Sequence, residues 1–131
     1  MDLLKSPLMT ALVARLDFLA ARTGVIAENI ANADTPDYAA RDVKAPNFQK
    51  FIGAPALKVT DPRHIAQAPS GGSAAVRTVA APDPDAALNG NKVSIETQMM
   101  KLSETRMDYQ LASTVYRKGI ELIRLAARGG R

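Results

Sequence analysis

The sequence predicts a mainly α-helical fold in which long N- and C-terminal helices form a coiled-coil hairpin, with a loop-rich middle that contains at most short β pieces. Apolar residues recur at helical spacing near both ends of the chain. Seven of the eight prolines lie in residues 34–92, and aromatic residues make up only 5% of the chain, which is little for a compact core. We therefore divide the 131 residues into a helix at 1–33, a Pro/Gly-rich insertion at 34–92 and a helix at 93–131, together one domain.

The N-terminal helix is predicted to begin at Ser6 and Pro7, because serine caps free N–H groups and proline suits the first helical position. An apolar repeat at spacings of three and four follows, as at the a and d positions of a coiled coil. Its members are Met9, Leu12, Leu16, Leu19, Thr23, Ile26, Ile30 and Ala33. Thr23 and the neighbouring Gly24 weaken the middle of this stripe, so we expect a bend or a close helix contact at Gly24.

The first helix is predicted to stop before Pro36, which lacks an N–H group and pushes Thr35 out of the α region. Asn32 and Asp34 favour a helix end, because their short polar side chains compete for backbone hydrogen bonds. The change from helix to irregular chain is therefore expected just before Pro36.

The middle of the chain carries mostly turn and loop signals. Short extended pieces are expected at Leu57–Thr60 and Ala75–Ala80, although neither has the length or alternation of a long strand. Asn89-Gly90-Asn91 is a turn signal that precedes the second helix. We predict an insertion that packs against the helices and has no core of its own.

The C-terminal helix is predicted to begin at the N-cap Ser94, with Glu96 suited to its positive N-terminal end, and to run to Gly129-Gly130. One apolar stripe, interrupted by Arg106 and Ser113, contains Ile95, Met99, Leu102, Tyr109, Tyr116, Ile120 and Ile123. A second row beside it contains Met100, Met107, Leu111, Val115, Leu122 and Leu125. Two rows make a face too wide for one partner helix, so this helix needs more than one neighbour. Periodicity does not decide whether the neighbours belong to the same chain or to another.

Catalysis and cofactor binding find little support in the sequence. The chain has one histidine, His64, and no cysteine, so there is no set of ligands for a metal and no thiol chemistry. Glu104 and Asp108 share a helix face, but a solvated face explains them better than an acid–base pair. We predict that the chain is not an enzyme and has no catalytic, cofactor-binding or metal site. The apolar run Pro7–Ala14 is too short for a membrane span, and no cleaved signal is expected.

The positive charge is concentrated at the C-terminal end. The chain carries a net charge of +4, and residues 109–131 hold five cations against Glu121 alone. Cationic amphipathic helices bind nucleic acid and membrane surfaces. The alternative prediction is therefore a basic coiled-coil adaptor that binds an anionic partner, either nucleic acid or a membrane surface.

The end of the first helix carries a recognisable motif. Asn29-Ile30-Ala31-Asn32-Ala33-Asp34-Thr35-Pro36-x-Tyr38 resembles the A-N-x-x-T-P-G-Y signature near the N-terminus of bacterial flagellar rod, hook and hook-associated proteins. The family motif maps onto Asn29, Asn32, Thr35, Pro36 and Tyr38. Asp37 stands where the family usually has glycine, which raises the question of whether this position needs a positive φ.

The C-terminal segment is similar to that of proximal rod members of the same family. The similar residues are Gly90-Asn91-x-Val93-x-Ile95-Glu96, Met99-x-Lys101-Leu102-x-Glu104-Thr105, Tyr109-Gln110 and Tyr116-Arg117-Lys118-Gly119. The two segments together cover somewhat over half of the chain. The resemblance implies a structural subunit of the proximal rod that polymerises through its terminal helices. It would help connect the MS ring and its FliE adaptor to the rest of the rod, for torque transmission and motility.

The resemblance also implies partners and a location. The partners would be copies of the chain, FlgC- and FlgF-type rod proteins, the FliE adaptor, the MS ring and the flagellar type III export apparatus, with no nucleic acid or small-molecule substrate. The location would be the periplasmic rod of the basal body, reached without a cleaved signal peptide. From the apolar stripes we predict a subunit interface at Leu12, Leu16, Leu19, Ile26, Ile30, Leu102, Tyr109, Tyr116, Ile120 and Ile123.

Overall fold

The computed structural model describes residues 6–47, 77–84 and 87–129. It contains four elements in the order α1 (Pro7–Ala31), β1 (Arg41–Val43), β2 (Thr78–Ala80) and α2 (Ile95–Gly129). Two long terminal helices and a short two-stranded sheet confirm the predicted fold class. His64 and the extended piece expected at Leu57–Thr60 lie outside the described residues. The piece expected at Ala75–Ala80 is described from Arg77 onward and includes β2.

Helix α1 begins and ends through local hydrogen bonds, as the sequence predicts. The Ser6 hydroxyl accepts from the Met9 N–H at 3.4 Å, and Pro7 occupies the first turn. At the other end the Asn32 N–H donates to the Glu28 carbonyl at 3.1 Å, and the Asn32 side-chain amide donates to the same carbonyl at 2.8 Å. The helix thus ends at Ala31, two residues before the last member of the predicted stripe.

The two helices pack antiparallel as a hairpin. Three contacts establish this direction: Met9 lies against Gly119, Arg15 binds Asp108, and Asn29 binds Gln98. Leu19 and Ile26 are fully buried between the helices, which confirms the apolar character of the predicted α1 stripe. The small core cluster consists of Phe18, Leu19, Val43 and Ala112, with Leu16 and Val25 packed against it. Phe18 lies outside the predicted stripe, but it is seven residues from Val25 and forms a second apolar row beside the first.

The face that α2 turns toward α1 differs from the predicted stripe by about one residue. Its buried residues are Gln98, Thr105 and Ala112, spaced by seven, whereas Met99 is half exposed. Gly119 continues this row, and a Cβ there would collide with the Met9 side chain. Small residues at these positions allow α1 to approach closely.

The expected close contact at Gly24 is wrong. A Cβ at Gly24 would meet no atom within 4 Å. The helix continues through this position, where the Thr23 hydroxyl donates to the Leu19 carbonyl at 2.9 Å. The close approach lies at Gly119 instead, because that glycine faces the partner helix and Gly24 is exposed.

The sheet holds the middle of the chain against α1. Strands β1 and β2 are antiparallel, with Asp42 opposite Val79, and a backbone bond from Ala81 N–H to the Ala40 carbonyl (2.9 Å) extends the ladder. Arg22 of α1 binds Asp42 through two N–H···O bonds, both 2.9 Å long. Burial raises the pKa of Asp42, but hydrogen bonds from Arg22 and the Val43 N–H outweigh it, and the pKa lies below its ordinary value.

Candidate assembly surface

Asn29, the first residue of the family motif, lies in a buried junction at the base of the hairpin, whereas Thr35 and Pro36 of the motif are exposed. The Asn29 amide donates to the Arg41 carbonyl at 2.7 Å and to the Gln98 side-chain oxygen at 3.1 Å. Its oxygen accepts from the Arg41 N–H at 3.0 Å and from the Tyr38 hydroxyl at 3.4 Å. One side chain on α1 therefore joins the start of the sheet and the first turns of α2.

A second asparagine completes the junction from the other side. The Asn91 amide donates to the carbonyls of Asn32 (3.0 Å) and Thr35 (2.7 Å), which lie just past the end of α1. Its oxygen accepts from the Val93 N–H at 2.8 Å. Asn91 is buried, and it lies far from the motif in the sequence. Its hydrogen bonds therefore tie the turn before α2 to the segment after α1.

The question raised by Asp37 is answered by its backbone. Asp37 has φ 55, so this position does adopt the left-handed conformation for which the family uses glycine. Its N–H donates to the Asn89 carbonyl at 3.2 Å, and Gly90 opposite has φ 79. A side chain on Gly90 would strike the Asp37 carboxylate, so the tight contact between the two turns depends on that glycine.

A buried carboxylate anchors α2 to the chain that precedes it. Asp83 accepts from the Ser94 N–H, the Gln98 amide and the Lys101 ammonium group, each at 2.9 Å. Burial raises the pKa of Asp83, but these three donors outweigh it and hold the pKa below its ordinary value. The Ser94 hydroxyl also accepts from the Thr97 N–H at 3.4 Å, which confirms Ser94 as the N-cap. The polar groups of the junction hydrogen-bond to one another. These bonds fix the position of α2 relative to the end of α1.

The residues predicted for the subunit interface fall into three classes of exposure. Leu19 and Ile26 are fully buried inside the hairpin, and Tyr109 is 43% exposed. The others are half-buried, at Leu12, Leu16, Ile30, Leu102, Tyr116, Ile120 and Ile123. They border the contact between α1 and α2.

Helix α2 has a second apolar face, directed away from α1, that we call the outward row. It consists of Met100, Met107, Leu111, Val115, Leu122 and Leu125. These side chains are between 44% and 70% exposed. At 3.6 residues per turn they lie on average roughly 110° around the helix from the row that contacts α1. Sequence reasoning identified these residues as a second row, and the structure shows that all six are exposed.

The charge balance changes along the same helix: residues 95–111 hold three acidic and two basic side chains, and residues 112–129 hold one acidic and four basic side chains. Glu96 and Glu104 lie in its N-terminal half, and both are exposed. Lys118, which binds Glu121 at 2.8 Å, and the exposed Arg124 lie in the C-terminal half. Residues 117–128 therefore form a basic end, and the outward row runs from an acidic to a basic environment.

Two further properties of the described residues bear on function. In the ranges 6–47, 77–84 and 87–129, no three His, Asp or Glu side chains come together in a way that could hold a metal ion. None of the described helices combines the length and the apolar character needed to cross a bilayer.

Comparisons with known proteins give one consistent result. No family model matches the chain. The chain is 33% identical over 124 residues to the flagellar basal body rod protein FlgB of Salmonella typhimurium, which covers 88% of each sequence. It is 32% identical over 110 residues to the protein of the same name from Cereibacter sphaeroides, covering 82% of this chain and 84% of that protein. With the protein of that name from Bacillus subtilis the identity is 35% over 88 residues, or 66% of each chain.

Proposed function

The chain belongs to the FlgB family of flagellar basal body rod proteins, and we propose that it polymerises in the proximal rod through its terminal helices. Membership of this family makes it a structural protein of the flagellum that serves motility, and not an enzyme, as the sequence predicts. The proposal concerns how the subunit assembles and what it contacts.

The observation that carries the proposal is the outward row of α2. A small chain rarely leaves an apolar face of this length exposed to water. Exposed apolar patches of this kind mark interaction sites. Among the described residues, α1 packs on a different side of α2 and leaves the outward row exposed, so this row is available for contact with another molecule. Helix α2 has 35 residues and is roughly 50 Å long, a length suited to the wall of a tube.

We propose that the half-buried residues predicted for the interface form the edges of a second contact, because those on α2 lie roughly 160° around the helix from the outward row. Tyr109, Tyr116 and Ile123 are partly accessible on α2, and Leu12 is partly accessible on α1. Edge residues of this kind contribute less to binding than fully buried anchors, but they exclude water around them. The fully buried Leu19 and Ile26 then act indirectly, by holding the hairpin together.

The finer assignments rest on family membership. We propose that the subunit lies in the periplasmic part of the basal body and is exported by the flagellar type III apparatus without signal cleavage. We further propose that copies of the chain, FlgC- and FlgF-type rod proteins, the FliE adaptor and the MS ring are its neighbours, and that it passes torque from the base to the rod. Mass spectrometry of the N-terminus in purified basal bodies, together with cross-linking of neighbours, tests these assignments.

The basic end of α2 supports a second candidate, an adaptor for anionic partners. Arg117, Arg124 and Arg128 are exposed on the described part of the helix. Against it, Tyr109 and Tyr116 lie at the edge of the hairpin contact, which limits base stacking. Binding to nucleic acid or anionic vesicles that falls steeply between low and physiological salt would support the adaptor.

The decisive experiment is complementation of a strain whose own copy has been deleted. Leu122→Asp places a charge in the outward row at a position that is 65% exposed, so the fold should remain intact. We expect unchanged far-UV circular dichroism and loss of motility. Gln110→Asp, at an exposed position of the same helix outside the row, is the matched control and should swim normally. A motile Leu122→Asp strain would overturn the proposal.

A further inference from the structure

The part of the outward row from Met100 to Leu122 is symmetric about Leu111. Residues four, seven and eleven positions away in either direction correspond in chemical character. The pairs are Met107 with Val115, Glu104 with Lys118, and Met100 with Leu122. Offsets of four, seven and eleven keep all of these residues on one face of a helix. Between Met100 and Leu122 the row therefore repeats itself when read backwards, except that the acidic residue becomes a basic one.

This symmetry matches one mode of helix pairing. If two copies of α2 pack antiparallel with Leu111 opposite Leu111, apolar side chains meet apolar side chains from Met100 to Leu122, and Leu125 lies opposite Thr97. Glu104 of each copy then faces Lys118 of the other, so the contact contains two opposite-charge pairs. A parallel pair in register would instead set Glu104 against Glu104 and Lys118 against Lys118, which repels at both points.

The surface is accessible for such a contact. Met100, Met107 and Leu111 are 70%, 64% and 65% exposed, and α1 packs on another side of α2. Lys118 binds Glu121 on its own helix, but both side chains are more than 60% exposed. An exposed pair of this kind contributes little stability, so Lys118 is free to exchange Glu121 for Glu104 of a second copy.

We propose that a second copy of this chain covers the outward row in the unassembled protein, with the two α2 helices antiparallel about Leu111. The contact is isologous and closed, because each copy uses the same surface and none remains for a third. A growing rod needs contacts that propagate, so the pair must open before a subunit joins it. This shielding role rests on the proposed function, whereas the pairing is a property of the free chain.

Disulfide cross-linking tests the orientation, because the chain has no cysteine of its own. Leu111→Cys should join two copies under mild oxidation, since a disulfide requires Cα atoms within about 7 Å. Met100→Cys mixed with a mass-tagged Leu122→Cys should give the mixed dimer, and neither variant should dimerise alone. Arg106→Cys, exposed and outside the row, is the control. Homodimers of Met100→Cys alone, or no cross-linking above the control, would overturn the proposal.

A charge exchange provides an independent test in the full-length chain. Glu104→Lys should weaken dimerisation at least about fivefold in sedimentation equilibrium at low salt, because it creates two like-charge contacts. The double variant Glu104→Lys/Lys118→Glu should restore it, and failure to do so would contradict the antiparallel pair. If cross-links form but the Leu122→Asp strain swims, the rod contact fails and the pair stands. If that strain is non-motile and no cross-links form, the pair fails and the rod contact stands.

Discussion

The Asn29 amide donates to the side-chain oxygen of Gln98 across 3.1 Å, although the two residues are 69 positions apart and both are buried. This bond fixes the end of α1 beside the beginning of α2. Gln98 in turn donates to Asp83 at 2.9 Å, so the amide pair also holds the segment that returns from the sheet. The position of the outward row depends on this junction, because the junction sets the rotation of α2.

Removing the central amide should destabilise the fold. Asn29→Ala leaves the Gln98 oxygen and the Arg41 N–H buried without the partner that each has now. We expect the free energy of unfolding to fall by roughly 2–4 kcal/mol, because a buried polar group left unsatisfied costs about 1–3 kcal/mol. Urea denaturation followed by far-UV circular dichroism measures the change. Gln110→Ala, an exposed amide on α2, should stay within about 0.5 kcal/mol.

Stability should fall at acid pH through the buried carboxylates. The pKa of Asp83 and that of Asp42 are both below the ordinary value of 3.8. A carboxylate whose pKa is lowered by folding stabilises the native state above the unfolded pKa, and this contribution is lost as pH falls through the folded pKa. We therefore expect the urea midpoint to be constant from neutral pH to about pH 5 and to drop below pH 4.

A single substitution tests how much of the pH dependence of stability comes from Asp83. Asp83→Asn should be less stable than the parent chain at pH 7, because Lys101 loses its charged partner. The difference in stability between the variant and the parent chain should shrink as pH falls below 4. The loss of stability due to protonation of Asp42 should remain in both. Asp34→Asn, at an exposed position, is the control and should follow the parent chain at every pH. A constant difference across the whole range would show that Asp83 does not contribute through its charge.

Gly24 and Gly119, both inside helices, should respond differently to alanine. Gly24→Ala should raise stability by about 0.5–1 kcal/mol, since glycine is disfavoured inside helices and a Cβ there meets open space. Gly119→Ala should gain less, because the new methyl group displaces the end of the Met9 side chain. Thermal unfolding of both variants gives the comparison. Equal gains would mean that the helices do not approach closely at Gly119.

The turn at Asp37 should accept glycine but not a branched side chain. Its φ of 55 costs an ordinary L-residue roughly 1–2 kcal/mol and costs glycine almost nothing. Asp37→Val should therefore lower the free energy of unfolding by about 1–2 kcal/mol. Asp37→Gly should remain within about 1 kcal/mol of the parent chain, because relief of strain is offset by greater freedom when unfolded. Equal stability of the valine and parent chains in urea would contradict the assigned conformation.

Local chemistry determined where the elements begin and end. The caps at Ser6 and Ser94, the helix stop before Pro36 and the turn at Gly90 each depend on a few neighbouring residues, so they can be predicted from the sequence. The existence of two apolar rows on the last helix is also local, because helical periodicity alone reveals it.

Tertiary structure alone decided that neither apolar row faces α1 squarely and that Gln98, Thr105, Ala112 and Gly119 do. Hydrophobicity favours Met99 over Gln98 and offers no reason to bury Thr105, yet the structure buries the polar pair and leaves the methionine half exposed. The reason is that Gln98 finds Asn29 and Asp83 only once distant segments have come together. A polar residue can be buried when its hydrogen bonds are met, and those partners are specified by the fold and not by the local pattern.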